Sequence, residues 1–311
     1  MLDTHFGEIA GLAAAFCWTA TALAFESAGK KVGSLSVNLI RLFMAIFLLG
    51  IYTYFTRGMF LPLDASLHQW KWLIISGLVG FALGDLFLFE AYVVIGARIS
   101  SLIMSFTPIL AGIIGWLVMD ERMTFINILG MAITLTGIVL VIMQKKNRNP
   151  NPSRIHEEGP KKRNLKPSRH VIGIILAFGG AAGQATGLVL SKFGMQDYDA
   201  FAATQIRVLA GTVGFMLMFF FLRRWHRVFQ AVKNKKAMKR ITIGAFFGPF
   251  LGVGFSLLAV QNTLTGIAST LMALVPVLII PPAVLYFKEK INFVEVAGAV
   301  IAFAGVALFF V

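Results

Sequence analysis

The chain has 311 residues, of which 58% are hydrophobic and 14% charged, with a mean hydropathy of +0.80. Soluble domains carry about 25% charged residues, so there is too little charge here to cover a water-facing surface. The net charge of +14 is read as a report on membrane orientation rather than on nucleic-acid binding.

The start, Met1-Leu2-Asp3-Thr4-His5, has no basic region, and no small-residue cleavage site follows the first apolar run. That run is therefore read as a retained helix. Ten apolar runs follow one another, at roughly 9–28, 35–56, 72–95, 99–119, 124–143, 171–193, 201–222, 241–261, 266–287 and 292–311. Each has about the 20 residues needed to cross a hydrocarbon core of about 30 Å. Most connections are a few residues long, so neighbouring helices are antiparallel. The expected fold class is an all-α integral membrane protein of ten transmembrane helices, with almost no strand. The single cysteine, Cys17, excludes an intramolecular disulfide and a cysteine-ligated metal centre.

Two connections are long and basic. Residues 144–170 hold nine Lys or Arg against Glu157 and Glu158, with four prolines, and read as a linker that need not fold. Arg223 to Arg240 carries eight Lys or Arg and no acid. Trp225, Phe229, Val232 and Met238 interleave with those charges, as in a short amphipathic helix lying on anionic headgroups. Of the 28 basic residues, 22 lie on the side of the membrane that holds these stretches and four on the side of the termini. The positive-inside rule then puts both termini outside and both basic stretches in the cytoplasm.

The chain repeats itself across the linker. Ile40-Arg41-Leu42 recurs as Ile206-Arg207-Val208, an offset of 166. At an offset of 168, Gly80, Gly84, Ser101, Met104, Pro108, Glu121, Gly130 and Gly137 match Gly248, Gly252, Ser269, Met272, Pro276, Glu289, Gly298 and Gly305. Helix-forming composition alone does not place a proline, a glutamate and four glycines in common register. Residues 7–143 and 171–311 thus form two five-helix repeats. An odd number of helices inserts the halves with opposite orientation, an inverted-topology repeat typical of secondary transporters with a site at the repeat interface.

With Trp18, Arg41, Pro108 and Glu121-Arg122 in one half, and Arg207, Pro276 and Glu289-Lys290 in the other, the chain resembles the drug/metabolite transporter superfamily. The likeness is to its EamA-like branch with two fused repeats, and it covers nearly the whole chain. Gln184 stands where the second half would repeat Trp18. The resemblance implies a secondary transporter of a small organic metabolite in the cell membrane: an exporter of an amino acid, a nucleoside or a small cationic or amphipathic compound. Family members generally have cytoplasmic termini, against the charge count.

An ionised side chain near the bilayer centre costs about 2.5–3.5 kcal/mol on insertion scales, so it must face the bundle interior or a cavity. Glu26, Arg41, Asp85, Glu90, Arg207 and Glu295 fall inside the apolar runs. Asp85 is the deepest acid and shares a helix face with Phe81, Phe89 and Tyr92. It is read either as a cavity acid that meets a cationic group or a proton, or as a carboxylate paired with an arginine. Arg41 and Arg207 lie near enough to helix ends to snorkel and are read as structural or gating ion-pair partners or as direct substrate contacts; a tight pair with Asp85 would argue against proton coupling. Trp18, Gln184, Gln205, Gln261 and Asn262 add polar or aromatic candidates for a substrate lining. Glycine stripes at 179, 183, 187 and at 244, 248, 252 mark close helix packing. Pro108 and Pro276 predict kinks. The fifth and tenth helices suit peripheral packing or dimer contacts, for a monomer or a homodimer.

Enzyme chemistry has little support. All five histidines, His5, His68, His156, His170 and His226, lie outside the apolar runs, and no metalloprotease, serine-hydrolase or P-loop pattern occurs. No cofactor is implied. A non-transporting membrane protein or an intramembrane lipid-modifying enzyme is the competing reading, but neither needs an inverted repeat.

Overall fold

A computed structural model describes residues 4–144, 167–287 and 291–311. The linker from 145 to 166 and residues 288–290, which include Glu289, lie outside the described residues. The described chain is helical throughout and contains no strand. Its ten membrane spans are Phe6–Phe25, Leu35–Arg57, Leu67–Leu88, Ile99–Met119, Phe125–Met143, Arg169–Met195, Ala200–Leu222, Lys235–Asn262, Thr265–Leu285 and Phe293–Phe310, numbered one to ten below.

Spans three and eight start earlier than hydropathy suggests. Ser66 caps span three by accepting from the Gln69 amide while Gln69 accepts from the Ser66 amide, so the helix begins before its apolar stretch. His68 thereby falls in a first turn, as does His170 in span six. Asn234 caps span eight by accepting from Ala237 N. The basic stretch is consequently two elements: Trp225–Lys233 is the short amphipathic helix, and Lys235 to Arg240 are the opening turns of span eight. In the short helix, Val228 and Ala231 are buried against the protein, Trp225 meets Phe219, and Phe229 and Val232 stay exposed.

The two halves correspond segment by segment. Leu67–Gly77 and Lys235–Ala245, Leu78–Gly84 and Phe246–Gly252, and Ala97–Met104 and Thr265–Met272 are equal in length at an offset of 168. Leu78–Gly84 and Phe246–Gly252 are both π-helical. In span eight Pro249 sits inside that segment and withholds a backbone donor. The expected kinks are complete breaks. Helix Ala97–Met104 ends four residues before Pro108, and Thr265–Met272 four before Pro276, because the proline ring would clash with the carbonyl of the residue four before it. Each proline then opens the next helix.

Each half packs mainly on the other. Span one lies on span eight, span six on span three, span two on span seven, span four on span nine and span five on span ten. Glycine permits the closest of these approaches, as lipid gives apolar side chains no drive to associate. A Cβ on Gly187 would stand 2.7 Å from Gly80 Cα, and one on Gly183 would stand 2.9 Å from Gly84 Cα. In the second stripe, span eight instead receives Phe25, Thr21 and Trp18 against Gly244, Gly248 and Gly252. Spans five and ten meet through Gly130, Gly137, Gly298 and Gly305, with Thr134 against the Ala302 carbonyl. Their outer faces, with Phe125, Ile128, Phe293 and Val300, are exposed, as lipid-facing residues must be.

Gly187→Ala is expected to destabilise the purified protein by about 1–3 kcal/mol, the usual cost of overpacking, since its new methyl meets backbone. Gly112→Ala, whose Cβ would have the Met123 sulfur 3.4 Å away as its nearest neighbour, should be nearly neutral. Thermal denaturation in detergent checks both, and equal effects would contradict the packing described.

Candidate functional site

The polar centre is built on span three. Along Leu78–Gly84 and into Asp85 the backbone runs through a wide π-turn, a feature common at functional sites, and Gly80, Phe81, Gly84 and Asp85 are all buried. Three polar side chains from three other spans converge on this segment. Arg41 of span two reaches Asp85, Nη2 to Oδ2 3.0 Å. Gln184 of span six donates through Nε2 to Asp85 Oδ1 at 2.8 Å and lies 3.4 Å from the Gly80 carbonyl oxygen. Arg207 of span seven stacks its guanidinium over the Phe81 ring, 4.9 Å from the centroid.

Both oxygens of Asp85 are therefore occupied, one by a charge-assisted bond of the strong kind. The Arg41 guanidinium also lies 5.3 Å over Phe25. Neither arginine snorkels: the Arg41 side chain is 11% exposed and Arg207 as a residue 5%. The pull of Asp85 accounts for Arg41. The face of Phe81 accounts for the orientation of Arg207, which finds no hydrogen-bond acceptor among the described residues.

Of the residues singled out in the sequence, Arg41, Phe81, Asp85, Gln184 and Arg207 meet here. Trp18 lies apart, donating to Ser256 Oγ at 3.2 Å and packing on Gly252. Gln261 and Asn262 end span eight, because that span runs to Asn262. Gln261 donates to the carbonyls of Gln196 and Tyr198, and Asn262 to that of Leu258. The side chains of Phe89, Tyr92 and Glu26 lie outside the described residues. Glu90 is exposed, and Glu295 joins Asn292 in a capping box at the start of span ten.

A second polar system was not expected from sequence. It ties the halves together on the side of the membrane where both termini lie. Glu121, in the turn after span four, accepts from Thr265 N at 2.8 Å and from Thr265 Oγ1 at 3.0 Å, and pairs with Lys192 at 2.6 Å. Lys192 also donates to the Thr263 carbonyl, and Thr263 Oγ1 donates to Glu8 at 2.6 Å. Beside these, Arg57 pairs with Asp64, while the Tyr198 hydroxyl donates to Asp64 at 2.8 Å and accepts from Arg57 at 3.1 Å. Burial pushes the Tyr198 phenol up to about 12, aided by Asp64 and opposed by Arg57. Its contribution is whole below the unfolded value of about 10 and is lost only as pH rises through the folded one. Gln205 adds a bond to the Phe60 carbonyl at 2.9 Å. The signal in the sequence was the Glu121-Arg122 turn, but spacing does not reveal that Glu121 reaches across to the opposite half.

These contacts bridge the two halves on the terminal side, so losing them would part the halves there. Glu121→Gln removes the charge that holds Lys192, a loss of about 1.5 kcal/mol, which corresponds to about a tenfold rise in the open fraction. A cysteine at Ser269, one turn beneath Thr265 and 5% exposed, should then react about tenfold faster with a membrane-impermeant thiol reagent. The native Cys17 is buried and adds little background. Unchanged labelling would show that Glu121 does not seal this side.

Comparisons with known proteins agree with this architecture. One solved crystal structure is similar at 18% sequence identity, covering 97% of this chain and 95% of its own, with a TM-score of 0.71, a likeness in fold alone. No curated protein matches the sequence. The EamA-like transporter family matches residues 5–143 and 171–311, one match on each repeat. The chain belongs to the EamA-like transporter family.

Proposed function

We propose that this protein is a secondary carrier that exports a small organic metabolite across the cell membrane, with its site between the halves at the π-turn of span three. The observation that carries the reading is the convergence of Arg41, Gln184 and Arg207 on Gly80 to Asp85, from spans belonging to both halves. Charged groups are tolerable at that depth only against each other, water or a solute. A seal of ion pairs and hydrogen bonds between the halves on the terminal side supplies a contact that alternating access can open and close.

Membership in a transporter family favours this reading over a lipid-modifying enzyme or a scaffold. The charge count supports termini outside and the basic stretches in the cytoplasm, with the Trp225–Lys233 helix on anionic headgroups. In that orientation the sealed side faces out. A cationic solute loses support, because Asp85 already meets Arg41 and Gln184. The Arg41–Asp85 pair argues against Asp85 as a free proton site; coupling would require a proton to cancel the charge that Arg41 pairs with and so release the arginine. Arg41 and Asp85 act on each other, and a solute meets the pair rather than a lone acid.

Proteoliposomes loaded with the solute identified by a growth-toxicity screen of overproducing cells test this directly. Uptake should saturate and show counterflow, and Asp85→Asn should abolish it or uncouple it from a pH gradient while still yielding folded, extractable protein. Non-saturating flux without counterflow would refute a carrier. Asp85→Asn transport indistinguishable from wild type at every pH would refute the role of Asp85.

A further inference from the structure

Among the described residues, the centre of the protein holds two guanidiniums and one carboxylate. Arg41 is answered by Asp85; among the described residues, no carboxylate answers Arg207. Arg207 is 5% exposed, its Nε is buried without a partner, and among the described residues no hydrogen bond reaches the rest of its guanidinium. The repeat explains the vacancy. Arg207 is the counterpart of Arg41, but the counterpart of Asp85 at the offset of 168 is Val253, 2% exposed and unable to pair. One half carries an arginine and its acid, the other an arginine alone.

We propose that Arg207 binds an anionic group, a carboxylate, on the transported solute, a substrate class that rests on the carrier reading above. The Phe81 ring covers one face of the guanidinium, which leaves its edges, where all five N–H donors point, for a ligand. That planar fork matches the two oxygens of a carboxylate. Gly80 keeps the edge clear, since a Cβ there would already lie 3.4 Å from Arg207 Nη2. A cationic group would instead add charge beside an unpaired guanidinium and find both oxygens of Asp85 taken. A buried charge without a partner is unfavourable on its own, so the solute completes the site rather than competing for it.

The test is melting of the purified protein at constant ionic strength, in sodium chloride alone or with 3-phenylpropionate, 3-phenylpropanamide or 3-phenylpropylammonium. These probes share a body and differ in the charge of one end. The carboxylate should raise the melting temperature above that in chloride, and the amide and ammonium should not. Arg207→Met should remove the shift and raise the melting temperature of the ligand-free protein, as it deletes an uncompensated charge. Arg207→Lys, which keeps the charge and loses the fork, should keep a smaller shift. The proposal is overturned by an equal shift with the amide or the ammonium, by no shift with the carboxylate, or by a shift that survives in Arg207→Met. It is equally overturned if Arg207→Met melts lower or fails to fold, which would make the arginine structural. Loss of the carboxylate shift with solute counterflow intact removes this site and leaves the carrier. A carboxylate shift without counterflow does the reverse.

Discussion

The ion pair between Arg41 and Asp85 is the contact around which the interior is arranged. A carboxylate in the middle of a membrane protein needs its charge and both oxygens met locally, and here a second and a sixth span are drawn to the third to do so. Gln184 makes that contact only because span six approaches span three at glycine-to-glycine distance. The packing of Gly183 and Gly187 on Gly84 and Gly80 and the polar bonding at Asp85 are thus one structural fact seen at two scales.

That arrangement also breaks the symmetry of the repeat. The backbone repeats closely, down to matching π-turns in spans three and eight, while the side chains diverge. Trp18 and Gln184 occupy corresponding positions, and each packs on the opposite half, one bonding Ser256 and the other Asp85. Two similar scaffolds suit alternating access, and in the proposed carrier a solute would meet a single charged constellation gathered around span three. The terminal-side contacts of Glu121, Lys192 and Thr265 share no residue with that constellation, so the proposed gate and the proposed site can be altered separately.

Much of this was legible in the sequence because membrane physics leaves few options. Span number followed from apolar run length, the repeat from the register of Pro108 with Pro276 and of the glycines, its inversion from the odd helix number, and the need of Asp85 for local partners from its cost. The starts of spans three and eight were misread because capping by Ser66 and Asn234 extends a helix into polar sequence, which hydropathy does not register. Arg41 and Arg207 were read as able to snorkel because their distance from the helix ends allowed it; only the fold shows what faces them. The π-turns leave no periodic signature, and the reach of Glu121 to Lys192 depends on tertiary proximity. Trp18, Gln261 and Asn262 fall in or beside apolar runs as aromatic or polar side chains, which sequence alone cannot separate from the site, and each bonds elsewhere.

The central claim is that Arg41 and Asp85 are present as a coupled pair, each tolerable because of the other. A double-mutant cycle measures this, with denaturation of wild type, Arg41→Gln, Asp85→Asn and the double variant in detergent. Removing one member of a buried pair leaves the other uncompensated, at a cost of about 3 kcal/mol, whereas removing both is far less damaging. The account predicts a double variant that is more stable than at least one of the singles. Losses that simply add would contradict it.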